Sequence, residues 1–273
     1  MELRAKFHLL VFPLMASVAL GQLAAPNAAG VRLGHIHLAV KDVAAQERFW
    51  TETVGGTIVK KGTLSLIQLP GMYVMLQRAE PSAPPAGGIV NHFGFVWKDL
   101  PSALAKWKAA GVQIEQGNNP NQGYIVGPDG IRIEFFGDPA IHSPMEMNHI
   151  HFDASSEISA MQTWYQQVFG GEPGKRPRVS TPGWTDCVFF GGANLSFSKL
   201  TQIEKPQPTK GRSLDHIGFD VTNMDQFAKK LDGLGLKFDS APQTIPNTTV
   251  KAAFLTDPWG AYIEVTENLV PAK

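Results

Sequence analysis

The chain repeats one short unit four times, and this repeat limits its possible folds more than any other feature. Each unit opens with a histidine in a short run of strand-forming residues: HIHLAV at His35, HFGFVW at His92, HIHFDA at His149 and HIGFDV at His216. A helical pattern follows, then glycine, then short alternating runs separated by turns. The unit is therefore strand, helix and three strands, and it must pair with another unit because one face of its sheet is apolar. The sequence predicts an α+β fold of four βαβββ modules.

Two features divide the units into halves. Only the first and third units contain His-x-His, and FWTETVGG in the first half parallels WYQQVFGGE in the second. At roughly 100–200 residues per domain, a chain of 273 residues also predicts two domains. We therefore expect units one and two to form one domain over residues 31–140, and units three and four to form its duplicate over 145–270.

The N-terminus differs from the repeats. Arg4 and Lys6 precede a mostly apolar run from Phe7 to Leu20, and small residues follow. This order is typical of an export signal, with Ala19-Leu20-Gly21 as one cleavage site. The run is shorter than the ~20 residues that cross a bilayer. We expect removal of approximately residues 1–24, a secreted or periplasmic protein, and no membrane association afterwards.

Charge argues against nucleic acid as a partner. Lys plus Arg and Asp plus Glu each number 24, so the formal net charge is zero. No local run of basic residues supplies the positive field that nucleic acid requires. A small molecule is the expected partner.

Histidines and glutamates recur at matching positions of the repeats. Residues i and i+2 of a strand share a face, so His35 and His37 point the same way, as do His149 and His151. The last strands of the even-numbered units contain Glu134 in GPDGIRIEFF and Glu264 in DPWGAYIEV. A carboxylate among apolar strand residues is costly to bury without a partner. Two imidazoles and a carboxylate around a divalent cation would satisfy all of these groups.

These motifs resemble the vicinal oxygen chelate superfamily, which includes glyoxalases, bleomycin-resistance proteins and ring-cleaving dioxygenases. The resemblance rests on opening motifs of the H-x-x-[LF] type and on the closing motifs GPDGIRIE and DPWGAYIE. It covers nearly all of the chain after the export signal. It implies that pairs of modules form cupped sheets, each around one divalent metal: zinc, nickel, manganese or iron(II). The ligands would come from the first and last strands of each unit.

Applied to this chain, the resemblance gives two ligand sets: His35, His92 and Glu134, and His149, His216 and Glu264. A fourth family position lies on the last strand of the odd-numbered units. The candidate there is Gln77, whose face Met75 shares, while the second half offers only Ser196 or Ser198. The additional His37 and His151 would be hydrogen-bond donors, acid–base groups or alternative ligands.

Three functions are compatible with such a site. The first is a glyoxalase-like or epimerase-like lyase or isomerase acting on a substrate that chelates the metal through vicinal oxygens. The second is an extradiol dioxygenase with two histidines and one glutamate on Fe(II), for which Tyr124 matches the family's tyrosine position. The third is a small-molecule binding or resistance protein without turnover. In the catalytic interpretations the acid–base candidates are Glu134, Glu264, His37, His151 and Tyr124.

Three further side chains are candidates for substrate contact. Arg132 and Tyr262 stand two residues before their glutamates and so share the inward face, where an arginine could hold a carboxylate or enolate oxygen. An ion pair at the sheet edge is the alternative for Arg132. Trp184 could line a cleft. With four units in one chain, monomer and homodimer both remain open.

Overall fold

The computed structural model describes residues 23–117, 119–154, 157–178, 182–199 and 205–269. The apolar run and the predicted cleavage site of the export signal lie outside the described residues. No helix in these ranges is long and apolar enough to span a membrane.

Each unit has the predicted strand, helix and three strands. Unit one contains β1 (Val31–Val40), α1 (Val43–Arg48, continued as a π-helix over Phe49–Val54), β2 (Thr57–Lys61), β3 (Leu64–Leu69) and β4 (Met72–Arg78). Unit two contains β5 (Val90–Trp97), α2 (Leu100–Ala109), β6 (Gln113–Gln116), β7 (Gln122–Val126) and β8 (Arg132–Gly137). Unit three contains β9 (Met145–Ala154), α3 (Ile158–Phe169), β10 (Glu172–Pro177), β11 (Trp184–Phe190) and β12 (Ala193–Lys199). Unit four contains β13 (Leu214–Val221), α4 (Met224–Gly233), β14 (Gln243–Thr244), β15 (Lys251–Thr256) and β16 (Tyr262–Glu267).

Local sequence signals set the helix ends. Asp42, Asp99 and Asn223 cap α1, α2 and α4 by accepting a hydrogen bond from a backbone N–H of the first turn. The segments that begin with α1 and α3 end at Gly55 and Gly170, whose left-handed φ of 100° and 72° suits glycine.

The strands form two eight-stranded sheets that combine units from different halves of the chain. The order β14-β15-β16-β13-β1-β4-β3-β2 joins units four and one, and β10-β11-β12-β9-β5-β8-β7-β6 joins units three and two. The fold class is confirmed, but the expectation that units one and two share one sheet, and units three and four the other, is wrong. The short join from β8 to β9, residues 138–144, brings β9 antiparallel to β5, and β1 pairs antiparallel with β13.

One continuous hydrophobic core lies against one face of both sheets and includes helix residues. Trp50, just after α1, stacks on Phe93 of β5, and Phe169 of α3 stacks on Phe219 of β13 with ring centroids 4.0 Å apart. The two units of each sequence half are therefore in contact through their helices, although their strands belong to different sheets. On β1, Ile36, Leu38 and Val40 enter this core, so the histidines of that strand lie on the opposite face.

Candidate metal centres

The first candidate centre lies on the sheet of units one and four, and we call it centre 1. It consists of His35 and His37 from β1, His216 from β13 and Glu264 from β16, whose ligand atoms all lie within 4.8 Å of one another. Glu264 Oε2 is 2.8 Å from His35 Nε2 and 3.0 Å from His216 Nε2. All four side chains come from adjacent strands, β1, β13 and β16.

Centre 2 is the equivalent group on the sheet of units two and three. Nitrogens of His92, His149 and His151 lie within 4.8 Å of one another. Glu134 Oε2 is 3.1 Å from both His92 Nε2 and His149 Nε2. Gln122 donates a 2.6 Å hydrogen bond to the other oxygen of this carboxylate.

The structure exchanges the partners that the sequence suggested. The expected sets were His35, His92 and Glu134, and His149, His216 and Glu264. In the structure His35 lies with His216 and Glu264, whereas His149 lies with His92 and Glu134. The reason is the sheet order: β1 adjoins β13 rather than β5. His37 and His151 complete the two groups.

A glycine makes room for one imidazole in each centre. Gly218 is the strand partner of His35, and a Cβ added to it would lie 2.0 Å from His35 Cε1. At Gly94, the strand partner of His149, the corresponding distance is 2.6 Å. Neither glycine is among the predicted site residues, although the sequence contains a signal for both: the even-numbered units read His-x-Gly where the odd-numbered units read His-x-His.

The residues that precede the histidines orient their rings. His216 Nδ1 is 2.7 Å from Asp215 Oδ1, and the Nδ1 atoms of His92 and His149 are each 2.9 Å from the side-chain oxygen of the preceding asparagine. When the Nδ1–H group of the ring donates a hydrogen bond to this oxygen, Nε2 faces the glutamate. This is the orientation that a metal-binding imidazole needs. These oxygen-bearing neighbours were also missed from the sequence.

Burial keeps the additional histidines neutral. It lowers the pKa of His37 to about 3 and also lowers the pKa of His151 well below its ordinary value. Both ring nitrogens of His37 are buried, with no hydrogen-bond partner among the described residues. A buried imidazole whose nitrogens have no hydrogen-bond partner in the protein is suited to binding a metal cation.

The glutamates stay ionised. Burial alone would raise the pKa of the Glu264 carboxyl, but hydrogen bonds from His216 and His35 hold it well below its usual range. At Glu134, burial is likewise outweighed by hydrogen bonds from His149 and His92. Each centre thus offers imidazole nitrogens and a carboxylate, which together form a donor set that fits zinc or another divalent transition metal.

The fourth family position does not place Gln77 at centre 1. Gln77 pairs with Ala39 and is exposed, whereas buried Met75 is the strand partner of His37. On β12 the strand partner of His151 is Ser196. His37 and His151 therefore stand beside Met75 and Ser196, whose uncharged thioether and hydroxyl groups are weak ligands for a divalent cation.

The remaining predicted site residues differ in position. Tyr124 lies edge-on to His92 with ring centroids 5.1 Å apart, and burial together with the Glu134 charge raises the pKa of its phenol. Arg132 forms the alternative ion pair, 2.7 Å from Glu115, with its guanidinium 4.0 Å above the Tyr124 ring.

Tyr262 and Trp184 complete the list. The Tyr262 ring is 5.6 Å from that of His216, so it lies beside centre 1. Trp184 is 61% exposed and does not line the cleft at centre 2.

Each centre adjoins a cleft, and the two clefts differ in charge. A cavity of about 170 Å³ at centre 2 is lined by Glu134, His151, Tyr124, Phe136, Arg176 and Arg178, among others. A cavity of about 320 Å³ reaches Glu264 of centre 1, and its other lining residues are uncharged, including Phe254, Gln243 and Thr244. The two sheets therefore present similar donor sets to different surroundings.

Comparison with known proteins agrees with this architecture. The family model of the Glyoxalase/Bleomycin resistance protein/Dioxygenase superfamily matches residues 32–135 and 148–265. Glyoxalase I from Zea mays is similar in structure at 14% identity and a TM-score of 0.70, over 87% of this chain and 92% of that chain. A "putative dioxygenase" from Bacillus subtilis is similar at 10% identity and a TM-score of 0.62, over 91% and 87% of the two chains. No curated protein matches the sequence. At these identities the structural likeness shows the fold alone.

Proposed function

Because the chain belongs to the Glyoxalase/Bleomycin resistance protein/Dioxygenase superfamily, we propose that it is a metal-dependent enzyme whose small substrate chelates the metal through vicinal oxygens. The reaction proposed is that of a glyoxalase-like or epimerase-like lyase or isomerase. The metal is zinc, nickel, manganese or iron(II).

One observation supports this proposal above the others: in each sheet, three imidazoles and one glutamate converge. The ligand atoms of the imidazoles lie within 4.8 Å of one another. The glutamate oxygen is within 3.1 Å of two of them in both centres. Such a cluster of buried donors without a bound cation leaves ring nitrogens such as those of His37 unsatisfied. Both centres draw all their side chains from one chain, so monomer and homodimer are equally compatible with activity.

The protein's own residues would move the proton. A divalent cation held by these side chains supplies a Lewis acid for the two neighbouring substrate oxygens. Glu134 and Glu264 are ionised, and either would remove a proton from a substrate carbon next to a carbonyl and return it to the neighbouring carbon. The neutral rings of His37 and His151 either bind the cation or accept that proton. The Tyr124 phenol stays protonated and can donate a hydrogen bond to a substrate oxygen in centre 2.

A ring-cleaving dioxygenase is the second candidate function, and one observation favours it at centre 2 only. Tyr124 lies against His92 and lines the cleft, as the family's tyrosine position implies. At centre 1 the matching place belongs to Phe254, which has no hydroxyl, and its ring is 5.4 Å from His216. Oxygen chemistry, if present, would therefore be confined to the sheet of units two and three.

Elemental analysis of protein purified without chelators tests the centres and their pairing. We expect about two metal equivalents per chain, falling to about one in His216→Ala and in His92→Ala. The double variant His35→Ala/His216→Ala removes two ligands of one centre and should still hold about one equivalent. Loss of all metal in this double variant would support the sequence-based grouping, and wild-type protein without metal would contradict the proposal.

Activity assays then separate the functions. The metal-loaded protein is expected to exchange the Cα proton of α-hydroxycarbonyl compounds with solvent deuterium, followed by NMR. Oxygen uptake with catechols under Fe(II), lost in Tyr124→Phe, would instead support the dioxygenase. Tight binding of unchanged substrates with neither activity would indicate a binding or resistance protein.

We also propose that the protein is exported to the periplasm or the medium. The support is the sequence of the first residues. Leu23 is buried in a hydrophobic cluster with Tyr73, Met75 and Leu269. This burial favours cleavage before Leu23, as after Gly21, over cleavage at residue 24. N-terminal sequencing of protein recovered from a secreting host checks it, and an intact Met1 would contradict it.

A further inference from the structure

We propose that Arg176 and Arg178 form a carboxylate-binding subsite beside centre 2, so that this cleft takes small substrates with a carboxylate in addition to the metal-chelating oxygens. The inference rests on the proposed function, because the chelating oxygens need the metal. It adds the chemical class of the substrate and assigns a role to two residues that the resemblance did not suggest.

Arg176 is anchored next to centre 2. Its Nε donates a 2.9 Å hydrogen bond to Ser196 Oγ, and Ser196 in turn donates a 2.7 Å bond to Asn194 Oδ1. Ser196 is the strand partner of His151, a residue of centre 2. Because the bond to Ser196 uses Nε, the two terminal nitrogens of the Arg176 guanidinium remain for a ligand.

The two arginines have no acidic partner in the described part of the chain. Arg132 is bound by Glu115 and Arg32 by Asp220, each at 2.6–2.7 Å. Among the described residues, no carboxylate lies within ion-pair distance of Arg176 or Arg178, although both line the cleft. Two unneutralised guanidinium groups at one cavity favour an anion, and their planar forks match a carboxylate.

The equivalent position of centre 1 lacks this feature. Ser196 and Met75 occupy matching places in the two sheets, because they are the strand partners of His151 and His37. Arg176 on β10 and Lys61 on β2 also occupy matching places. Each lies two residue pairs away from the pair that contains the β11 partner of Ser196 or the β3 partner of Met75. The Lys61 ammonium is hydrogen-bonded to the backbone carbonyl of Asn268. The cavity at Glu264 has no cationic lining residue among those described. The carboxylate preference is therefore a property of the cleft of units two and three.

A matched pair of probes isolates the subsite. Catechol and its carboxylates, 2,3- and 3,4-dihydroxybenzoate, chelate through the same vicinal hydroxyls and differ by the carboxylate alone. They are titrated calorimetrically into the zinc-loaded protein, in which the metal has no redox chemistry. We expect at least one dihydroxybenzoate to bind more tightly than catechol. Arg176→Met/Arg178→Met should weaken that ligand by at least about tenfold and leave catechol unchanged.

Lys175→Met is the control. Lys175 precedes Arg176 on β10, so its side chain lies on the opposite face of the strand. Its ammonium nitrogen is 3.4 Å from Asp186, and it carries one positive charge, as each arginine does. Weakening of dihydroxybenzoate in this variant as large as in the double arginine variant, or an equal loss of catechol, would overturn the subsite.

Metal content measured on the same samples distinguishes the two proposals. Wild-type protein that binds no zinc would overturn the proposed function. Benzoate at millimolar concentration, titrated into metal-free protein and followed by NMR, then decides the subsite. Weaker benzoate binding in Arg176→Met/Arg178→Met than in Lys175→Met supports the subsite, and equal binding in both overturns it.

Discussion

At the scale of single residues, the centres depend on glycine as much as on histidine. A methyl group at position 218 would lie 2.0 Å from Cε1 of the buried His35 ring. We expect Gly218→Ala to destabilise the protein by roughly 1–3 kcal/mol, as overpacking does, and to remove the metal of centre 1. Urea unfolding and elemental analysis measure the two effects.

Gly233→Ala is the matched control. A Cβ at Gly233, at the end of α4, would meet nothing within 4 Å. Alanine is favoured over glycine in a helix by roughly 0.5–1 kcal/mol, so this variant should be as stable as the parent or slightly more so. A Gly218→Ala protein with normal stability and full metal content would refute the role of the glycine.

The buried imidazoles also predict a pH dependence. Burial lowers the pKa of His37 to about 3 and that of His149 to about 4. As the pH falls below about 6.5, these histidines take up protons in the unfolded chain but stay unprotonated in the folded metal-free protein. The unfolded state therefore binds more protons, and the free energy of unfolding falls as pH drops from about 6.5 towards 4. The limit is roughly 1.4 kcal/mol per pH unit for each ring. His216 acts in the opposite sense, because Asp215 and Glu264 outweigh burial and raise its pKa.

The variant His37→Gln tests whether His37 contributes to this pH dependence of the free energy of unfolding. Urea unfolding of chelator-treated protein between pH 6.5 and pH 4 should show a smaller loss of stability than in the parent. Identical slopes in the two proteins would mean that His37 does not resist protonation in the folded state.

At the scale of elements, the sequence predicted the units well because local signals specify them. The cap at Asn223, the alternating runs and the closing turns of GPDGIRIE and DPWGAYIE each depend on neighbouring residues. The register of β4 was not predictable, because Met75 and Gln77 point to the same face and alternation cannot choose between them. Only the pairing with β1 shows that Met75 adjoins His37.

The turn before β16 is held by a helix of another unit. The Tyr165 hydroxyl on α3 donates a 2.9 Å hydrogen bond to Asp257 Oδ2, and Oδ1 of that carboxylate accepts from the backbone of Trp259 and Ala261. Tyr165→Phe leaves a buried oxygen without this partner, so we expect a loss of roughly 1–3 kcal/mol in urea unfolding. A change within about 0.5 kcal/mol would show that the helix does not stabilise the turn.

At the scale of the whole molecule, the pairing of units could not be predicted from the sequence, because the local motifs fit two arrangements. A His-x-His unit meets a His-x-Gly unit whether unit one pairs with two or with four, so the ring of His35 finds a glycine in either arrangement: Gly94 or Gly218. Each arrangement also gives three imidazoles and a glutamate per sheet. The local motifs satisfy both, and only long-range strand pairing, β1 with β13 and β5 with β9, decides between them.

This topology makes a prediction about the isolated halves. Residues 31–140 contain β1 and β5 but neither β13 nor β9. In this fragment the edges of β1 and β5 that pair with β13 and β9 in the whole protein would be exposed. We expect this fragment, expressed alone, to be unfolded or aggregated, and coexpression with residues 145–270 to restore a complex with about two metal equivalents. Circular dichroism, size-exclusion chromatography and elemental analysis measure these outcomes. A fragment 31–140 that folds as a stable monomer and binds one metal would show that units one and two can close a sheet themselves. In that case the sequence-based grouping of His35, His92 and Glu134 would describe an accessible alternative fold.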